Sequence, residues 1–156
     1  MSSSSEKEKL KVLFVCTGNS CRSQMAEGWA RHLKSDVIEA YSAGVWPAGV
    51  SSRAAAVMAE AGVDISSQRS KHVDDLLDID FDYVITLCGN AREQCPVFGG
   101  KAKLIHEPFE DPTMLMGSPE QIMAAFRQTR DQIRAFIETL PESVTTDARA
   151  SNDRSE

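Results

Sequence analysis

The sequence predicts an α/β fold: a parallel sheet of about four strands flanked by helices. Two observations predict it. Short β-branched and aromatic runs at 11–15 and 83–87 read as buried strands, and apolar residues at helical spacing fill the stretches between and after them. A third observation is a Gly/Asn/Ser turn where the first strand gives way to the first helix, the kind of place where a parallel sheet collects its ligands.

Each element has its own warrant. Lys11 to Val15 is the first strand. After the turn, Met25, Ala26, Trp29, Ala30 and Leu33 recur on one helical face from Arg22 onward. Val37 to Tyr41 is a second strand, and the stretch 42–50, with two Gly and one Pro, is a loop. Ser51 or Ser52 caps a helix running to Glu60, which Gly62 ends. His72 to Leu77 forms another short helix. Tyr83 to Leu87 is the third strand and Lys103 to Ile105 a weaker fourth. A long helix follows over 118–140, with Pro119 at its first position and Ile122, Ala125, Phe126, Ile133, Phe136, Ile137 and Leu140 on its apolar face. Residues 10–141 therefore read as a single catalytic domain, with the polar stretches 1–9 and 142–156 as disordered tails.

Bulk properties narrow the function. A chain of 156 residues buries about two-thirds of its unfolded surface. The net charge of −6 argues against a nucleic-acid partner, which selects basic patches. It does not exclude a small oxyanion, which responds to local donors. The N-terminus is polar and the apolar run after it is far too short to span a membrane, so a cytoplasmic, membrane-free protein is expected. In a reducing compartment its four cysteines point to catalysis, redox work or metal rather than to structural bridges.

The first strand ends in Cys16-Thr17-Gly18-Asn19-Ser20-Cys21-Arg22-Ser23. Gly18 and Asn19 tolerate left-handed backbone, so successive N–H groups can curl around an oxyanion. The helix N-terminus adds donors and the positive end of its dipole. The same field favours the thiolate of Cys16, the nucleophilic form. Arg22 supplies a two-pronged clamp, and Ser23 a hydrogen bond to the sulfur. A bare Cys-x5-Arg is a weak signal, and the bland alternative is a buried cysteine beside a surface arginine. The strand before and the helix after make it specific.

Val12-Leu-Phe-Val-Cys16-Thr-Gly-Asn-Ser-Cys-Arg22-Ser-Gln-Met-Ala-Glu-Gly28 resembles the phosphate loop of the low-molecular-weight tyrosine phosphatase fold, in the form of its thioredoxin-coupled arsenate reductase branch. The resemblance covers about residues 11–140 and implies a four-stranded parallel sheet flanked by helices. It also implies a general acid in an Asp-Pro of the kind at Asp111-Pro112, with Glu110 as the neighbour that could be confused with it. Taken alone, that Asp-Pro reads as a solvated turn.

Cys88 and Cys95 decide between activities. A phosphatase needs one nucleophile and an acid, whereas arsenate reduction takes two electrons. Cys16 would attack arsenic, Cys88 would attack the Cys16 sulfur, and Cys95 would attack Cys88, each an ordinary thiol–disulfide exchange. The Cys88–Cys95 disulfide, in a segment whose Gly89, Gly99 and Gly100 let it loop out, suits reduction by thioredoxin. The resemblance likewise implies a redox pair here with a helix between. Two buried apolar cysteines are the bland reading, and the spacing is too long for a zinc site.

Some family members hold potassium with residues resembling Asn19, Glu27 and Ser42 and a further acid. The corresponding stretch here, Gln68-Arg69-Ser70-Lys71, is basic, so no potassium site and no metal site is expected; the Lys71 ammonium either takes that space or lies in solvent. Cys21 has a structural place, with an off-pathway disulfide to Cys16 open to it. His32, His72 and His106 carry no metal, and Trp46 packs rather than walling the pocket. The expectation is an arsenate reductase without a tightly bound cofactor, monomeric, fed by reduced thioredoxin, with phosphate and sulfate as competing oxyanions. A low-molecular-weight tyrosine phosphatase is the alternative, disfavoured by the extra thiols and by the lack of Tyr after Asp111-Pro112. A non-catalytic oxyanion or redox sensor is a third reading, and glutaredoxin or mycothiol are other possible electron carriers.

Overall fold

The computed structural model describes residues 9–88 and 102–145. Cys95, Gly89, Gly99 and Gly100, and most of both expected tails, lie outside the described residues. Four strands form one sheet in the order β2-β1-β3-β4. They are β1 (Leu10–Cys16), β2 (Ile38–Gly44), β3 (Tyr83–Thr86) and β4 (Lys103–His106), and every pairing is parallel. β1 and β3 are central and buried, which is why they read as continuous apolar runs rather than as alternating ones.

The chain builds to one side of β1 with β2, then returns to the other side with β3 and β4. The end of β1 is thus the point where strand order reverses, and crevices for ligands open there. Cys16 pairs with Gly44 at this edge, while Thr86, the last residue of β3, pairs with Val15.

Among the described residues four helices flank the sheet: α1 (Arg22–Leu33), α2 (Ser52–Glu60), α3 (Pro119–Glu138) and α4 (Glu142–Thr145). α1 is buried continuously from Arg22 to Ala30, held between β2 and α3. Trp29 anchors that contact. Its indole N–H donates to the Arg130 carbonyl at 3.1 Å, and the Arg134 guanidinium lies 5.0 Å above its ring. Truncating a buried aromatic of this kind costs about 3–5 kcal/mol. α3 begins with a capping box in which the side chains of Ser118 and Gln121 each bond the other's backbone N–H. It buries Phe126, Ile133, Phe136 and Ile137.

Two expectations need correcting. The short helix at 72–77 is a 3-10 turn, Val73–Leu76, with the His72 side chain as its cap. The domain also extends past residue 141, because α4 follows and buries Val144 to 2% exposure. A single apolar residue on a single turn leaves no periodicity to detect. No helix among the described residues is long and apolar enough to cross a membrane.

Candidate active site

The loop from Thr17 to Cys21 turns its carbonyls outward. Thr17 O accepts from Trp46 N–H at 2.8 Å, Gly18 O from Ala48 N–H at 2.9 Å and the Ser70 hydroxyl at 3.0 Å, and Ser20 O from Ser51 N–H at 2.8 Å. Asn19 O accepts from Gln24 Nε2 at 3.0 Å. With its acceptors spent outside, the loop presents N–H groups inward, and none of those at 17–21 donates to another described residue. Asn19 makes the turn, with φ of 47°, a conformation Asn adopts more readily than other non-glycine residues. The cradle runs straight into the N-terminus of α1, whose first turn carries no acidic residue to repel an anion.

The Asn19 side chain sets the state of its neighbours. Its Oδ1 accepts from Lys71 N–H at 2.7 Å, which fixes Nδ2 as the donor to Ser23 Oγ at 2.8 Å. The Ser23 hydroxyl proton is then free to point at Cys16 Sγ, 2.9 Å away. Cys16, only 2% exposed, thereby gains a hydrogen bond to its sulfur. Asn19 and Ser23, expected to bind substrate with the rest of the loop, are fully buried, and their side chains brace the loop from behind.

A cavity of about 190 Å³ opens in front of this loop, lined by Cys16, Thr17, Gly18, Ser20, Cys21, Arg22, Asp111 and Thr113. Arg22 donates through Nη1 to the Phe109 carbonyl at 3.0 Å, and its Nη2 lies 3.3 Å from Asp111 Oδ2. Its Nε is buried and has no hydrogen-bond partner among the described residues. An orphaned donor on a buried guanidinium is a costly arrangement that an oxyanion in the cradle would relieve. Glu110 is exposed and lies on an adjoining groove rather than in the cavity, so the geometry favours Asp111 over its neighbour.

Three of the four cysteines are described, all as free thiols. Cys88 follows β3 and is 8% exposed, with its sulfur 3.0 Å from Thr17 Oγ1. A second thiol therefore stands beside the residue next to Cys16. Cys21 is buried, and that burial, reinforced by the negative charges of Cys16 and Asp111, pushes its thiol up to about 12. It stays protonated at neutral pH and does not compete with Cys16. Cys95 is not among the described residues.

Several contributors escaped the sequence reading. Gly44 lies so close to the loop that a Cβ would sit 2.7 Å from both Asn19 N and Thr17 O. Gln24, fully buried, ties Asn19 O to Arg69 O and accepts from Gln68 Nε2 at 2.7 Å. These roles depend on strands and loops meeting in space, and no local pattern announces them. Lys71 lies with Nζ 3.9 Å from Glu27 Oε1 and 2.6 Å from Arg69 O. Glu27 is buried, takes a hydrogen bond from Ser42 and pairs with Arg31. Burial draws the Lys71 ammonium below its usual range, against the opposing pull of Glu27. Trp46 is a correction: it is 57% exposed at the rim and does not pack in the core, although its backbone N–H holds Thr17. Among the described residues no cluster of His, Cys, Asp and Glu is arranged to hold a metal ion.

Comparison with known proteins agrees with this geometry. The family model for low molecular weight phosphotyrosine protein phosphatase matches residues 11–150. An arsenate reductase from Halalkalibacterium halodurans is 43% identical over 135 residues, covering 86% of this chain and 97% of the relative. A solved arsenate reductase in the phosphate binding state superposes with a TM-score of 0.69 at 35% identity, covering 87% of this chain and 99% of its own. A low molecular weight protein tyrosine phosphatase from T. tengcongensis gives 0.66 at 30% identity, covering 86% of this chain and 99% of its own. The chain belongs to the low molecular weight phosphotyrosine protein phosphatase family and, within it, resembles the arsenate reductases.

Proposed function

We propose that the protein is an arsenate reductase that works through Cys16, Cys88 and Cys95 and is regenerated by reduced thioredoxin. The observation that carries this is the Cys88 sulfur beside Thr17, one residue from the nucleophile. Hydrolysis has no use for a thiol there, and reduction requires one. The relatives named arsenate reductase support the same reading.

The chemistry follows from the residues. Arsenate enters the N–H cradle and is gripped by Arg22, including the Nε that now lacks a partner. The Cys16 thiolate attacks arsenic. An arsenic–sulfur bond forms, an arsenic–oxygen bond breaks, and the departing oxygen takes a proton from Asp111 and leaves as water. Cys88, as thiolate, then attacks the Cys16 sulfur. The arsenic–sulfur pair passes to arsenic, which leaves as arsenite, two electrons reduced, and a Cys16–Cys88 disulfide remains. Cys95 attacks Cys88 and frees Cys16. Thioredoxin reduces the Cys88–Cys95 disulfide by the same exchange. No tightly bound cofactor enters this scheme, which suits a cytoplasmic monomer. Phosphate and sulfate share the shape of arsenate and compete for the cradle, and slow hydrolysis of aryl phosphates accompanies the main activity.

The test is arsenate-dependent NADPH oxidation coupled through thioredoxin and its reductase. Wild type should turn over. Cys95→Ser should stop after one turnover, with two thiols lost as the Cys16–Cys88 disulfide. A wild type that does not reduce arsenate yet hydrolyses aryl phosphates briskly would establish a phosphatase instead.

A further inference from the structure

We propose that Thr113 is a positioning residue for proton donation, holding the Asp111 carboxyl so that its proton sits on the oxygen facing the oxyanion. The inference rests on Asp111 being the general acid. Asp111 Oδ1 accepts two hydrogen bonds from one residue, the Thr113 backbone N–H at 3.0 Å and the Thr113 hydroxyl at 2.6 Å. Oδ2 is left facing Arg22 Nη2 at 3.3 Å, on the side of the anion clamp. Pro112, between them, has no N–H to offer, so Thr113 is the first residue able to hold the carboxyl.

This arrangement makes the two oxygens unequal. A proton on Oδ1 would point at the Thr113 N–H, which can only donate, whereas the longer 3.3 Å contact of Oδ2 with Arg22 is one a bound oxyanion takes over, so the acidic proton belongs on Oδ2. The terminal torsion of an Asp side chain is broad and two-fold, and without a tether the two oxygens interchange. Thr113 removes that freedom. In the transfer, the Oδ2–H proton moves to the departing oxygen as the electrons of its bond to arsenic or phosphorus collapse onto it. Cys16 sulfur forms the new bond, and Asp111 ends as a carboxylate that still accepts both Thr113 bonds. Thr113 also lines the cavity beside Asp111. It touches the carboxyl and acts through it.

The hydroxyl can be removed alone. Thr113 is exposed, and Thr113→Val keeps the volume and the backbone bond and deletes only the hydroxyl bond. The informative measurement is kcat/KM for 4-nitrophenyl phosphate, whose leaving group needs little protonation, against phenyl phosphate, whose leaving group needs much. Single-turnover thiol loss with arsenate runs in parallel. Losing one hydrogen bond to a charged group should lower the phenyl phosphate value by roughly 10-fold more than the 4-nitrophenyl value. The maximal arsenate rate should fall similarly with half-saturation nearly unchanged, and Thr113→Ser should restore both. Asp111→Asn is the reference. If Asp111→Asn steepens the leaving-group dependence and Thr113→Val does not, the positioning role is wrong and the general acid stands. An equal loss on both esters, or a raised half-saturation for arsenate, makes Thr113 a structural or binding residue and also overturns it. If Asp111→Asn itself leaves the dependence flat, the general-acid reading fails and the inference with it. Should aryl phosphates not turn over at all, the arsenate rates decide alone by the same criteria.

Discussion

Replacing Gly44 by Ala tests whether the oxyanion cradle is held by close packing of β2 on the loop. The added Cβ would lie 2.7 Å from Asn19 N, 2.7 Å from Thr17 O and 3.0 Å from Asn19 Cβ. The two nearest atoms are backbone, so no rotamer change relieves the clash and the loop itself must move. Overpacking of this kind costs about 1–3 kcal/mol. The same movement turns N–H groups away from the anion. Losing one charge-assisted hydrogen bond, at about 1.5–3 kcal/mol, weakens binding roughly 10- to 100-fold. Gly62→Ala is the matched control, because Gly62 has φ of +87° with nothing within 4 Å of the new Cβ. It should lose about 1–2 kcal/mol from left-handed backbone alone. Urea unfolding with and without phosphate separates the two. A ligand at 100 times its Kd adds about 2.7 kcal/mol to stability. Wild type and Gly62→Ala should gain that increment in full, and Gly44→Ala should gain only about 0.4–1.4 kcal/mol at the same phosphate concentration. A wild-type increment in Gly44→Ala would refute the close-packing argument.

Two further outcomes follow from the cysteines. Thr17→Val removes the hydroxyl that meets Cys88 at 3.0 Å, so arsenate-driven disulfide formation, followed by thiol counting after rapid quench, should slow by roughly 10-fold more than phosphate affinity falls; parallel losses would mean the contact is incidental. Cys21, pushed from 9.0 up to about 12 by burial, should carry ~10³-fold less thiolate than an ordinary cysteine at pH 8 and resist alkylation in the native protein, as read by mass spectrometry. Because the folded state keeps this proton longer than the unfolded state, its contribution to stability should be intact below pH 9 and decline as pH rises from 9.0 towards about 12. A Cys21 modified as fast as a free thiol, or an alkaline stability limb unchanged in Cys21→Ala, would count against the buried placement.

What the sequence could reveal was whatever is written within one element. β1 announces itself because a central parallel strand is apolar on both faces, and the loop after it because Gly18, Asn19 and Arg22 sit at fixed offsets from Cys16. The long helix over Pro119–Glu138 shows its cap, its first-turn proline and its period directly. Contributions made across the sheet are different. Gly44 matters only because β2 lies beside β1 in register with Cys16, and Gln24 only because its amide reaches both Asn19 and Arg69. Trp46 was read as packed because large aromatics usually are; its backbone, rather than its ring, is what the loop uses.

The fold also accounts for how one loop can serve hydrolysis and reduction. In the chemistry proposed above both begin with Cys16 attacking a tetrahedral oxyanion, and both use Arg22 and an acid, so the cradle does not discriminate. They part at the second step. A hydrolase must admit water to the central atom of the adduct, whereas a reductase must bring a sulfur to the sulfur of Cys16. Strand register decides whether that sulfur is at hand. β3 lies beside β1 with Thr86 opposite Val15, and Leu87 N–H donates to Val15 O at 2.8 Å. That sets Cys88 one residue past the position facing Cys16. Paired residues share a face and successive ones alternate, so Cys88 meets Thr17 directly and a disulfide to Cys16 needs the backbone at the strand end to turn. The sheet therefore sets the Cys88 thiol beside Thr17, next in sequence to Cys16, from the end of a buried strand. A cysteine one strand further out, on β4, would need the sheet to come apart. On this view the change from phosphatase to reductase needs no new cradle; it needs a thiol at the end of the neighbouring strand and a second one able to follow it.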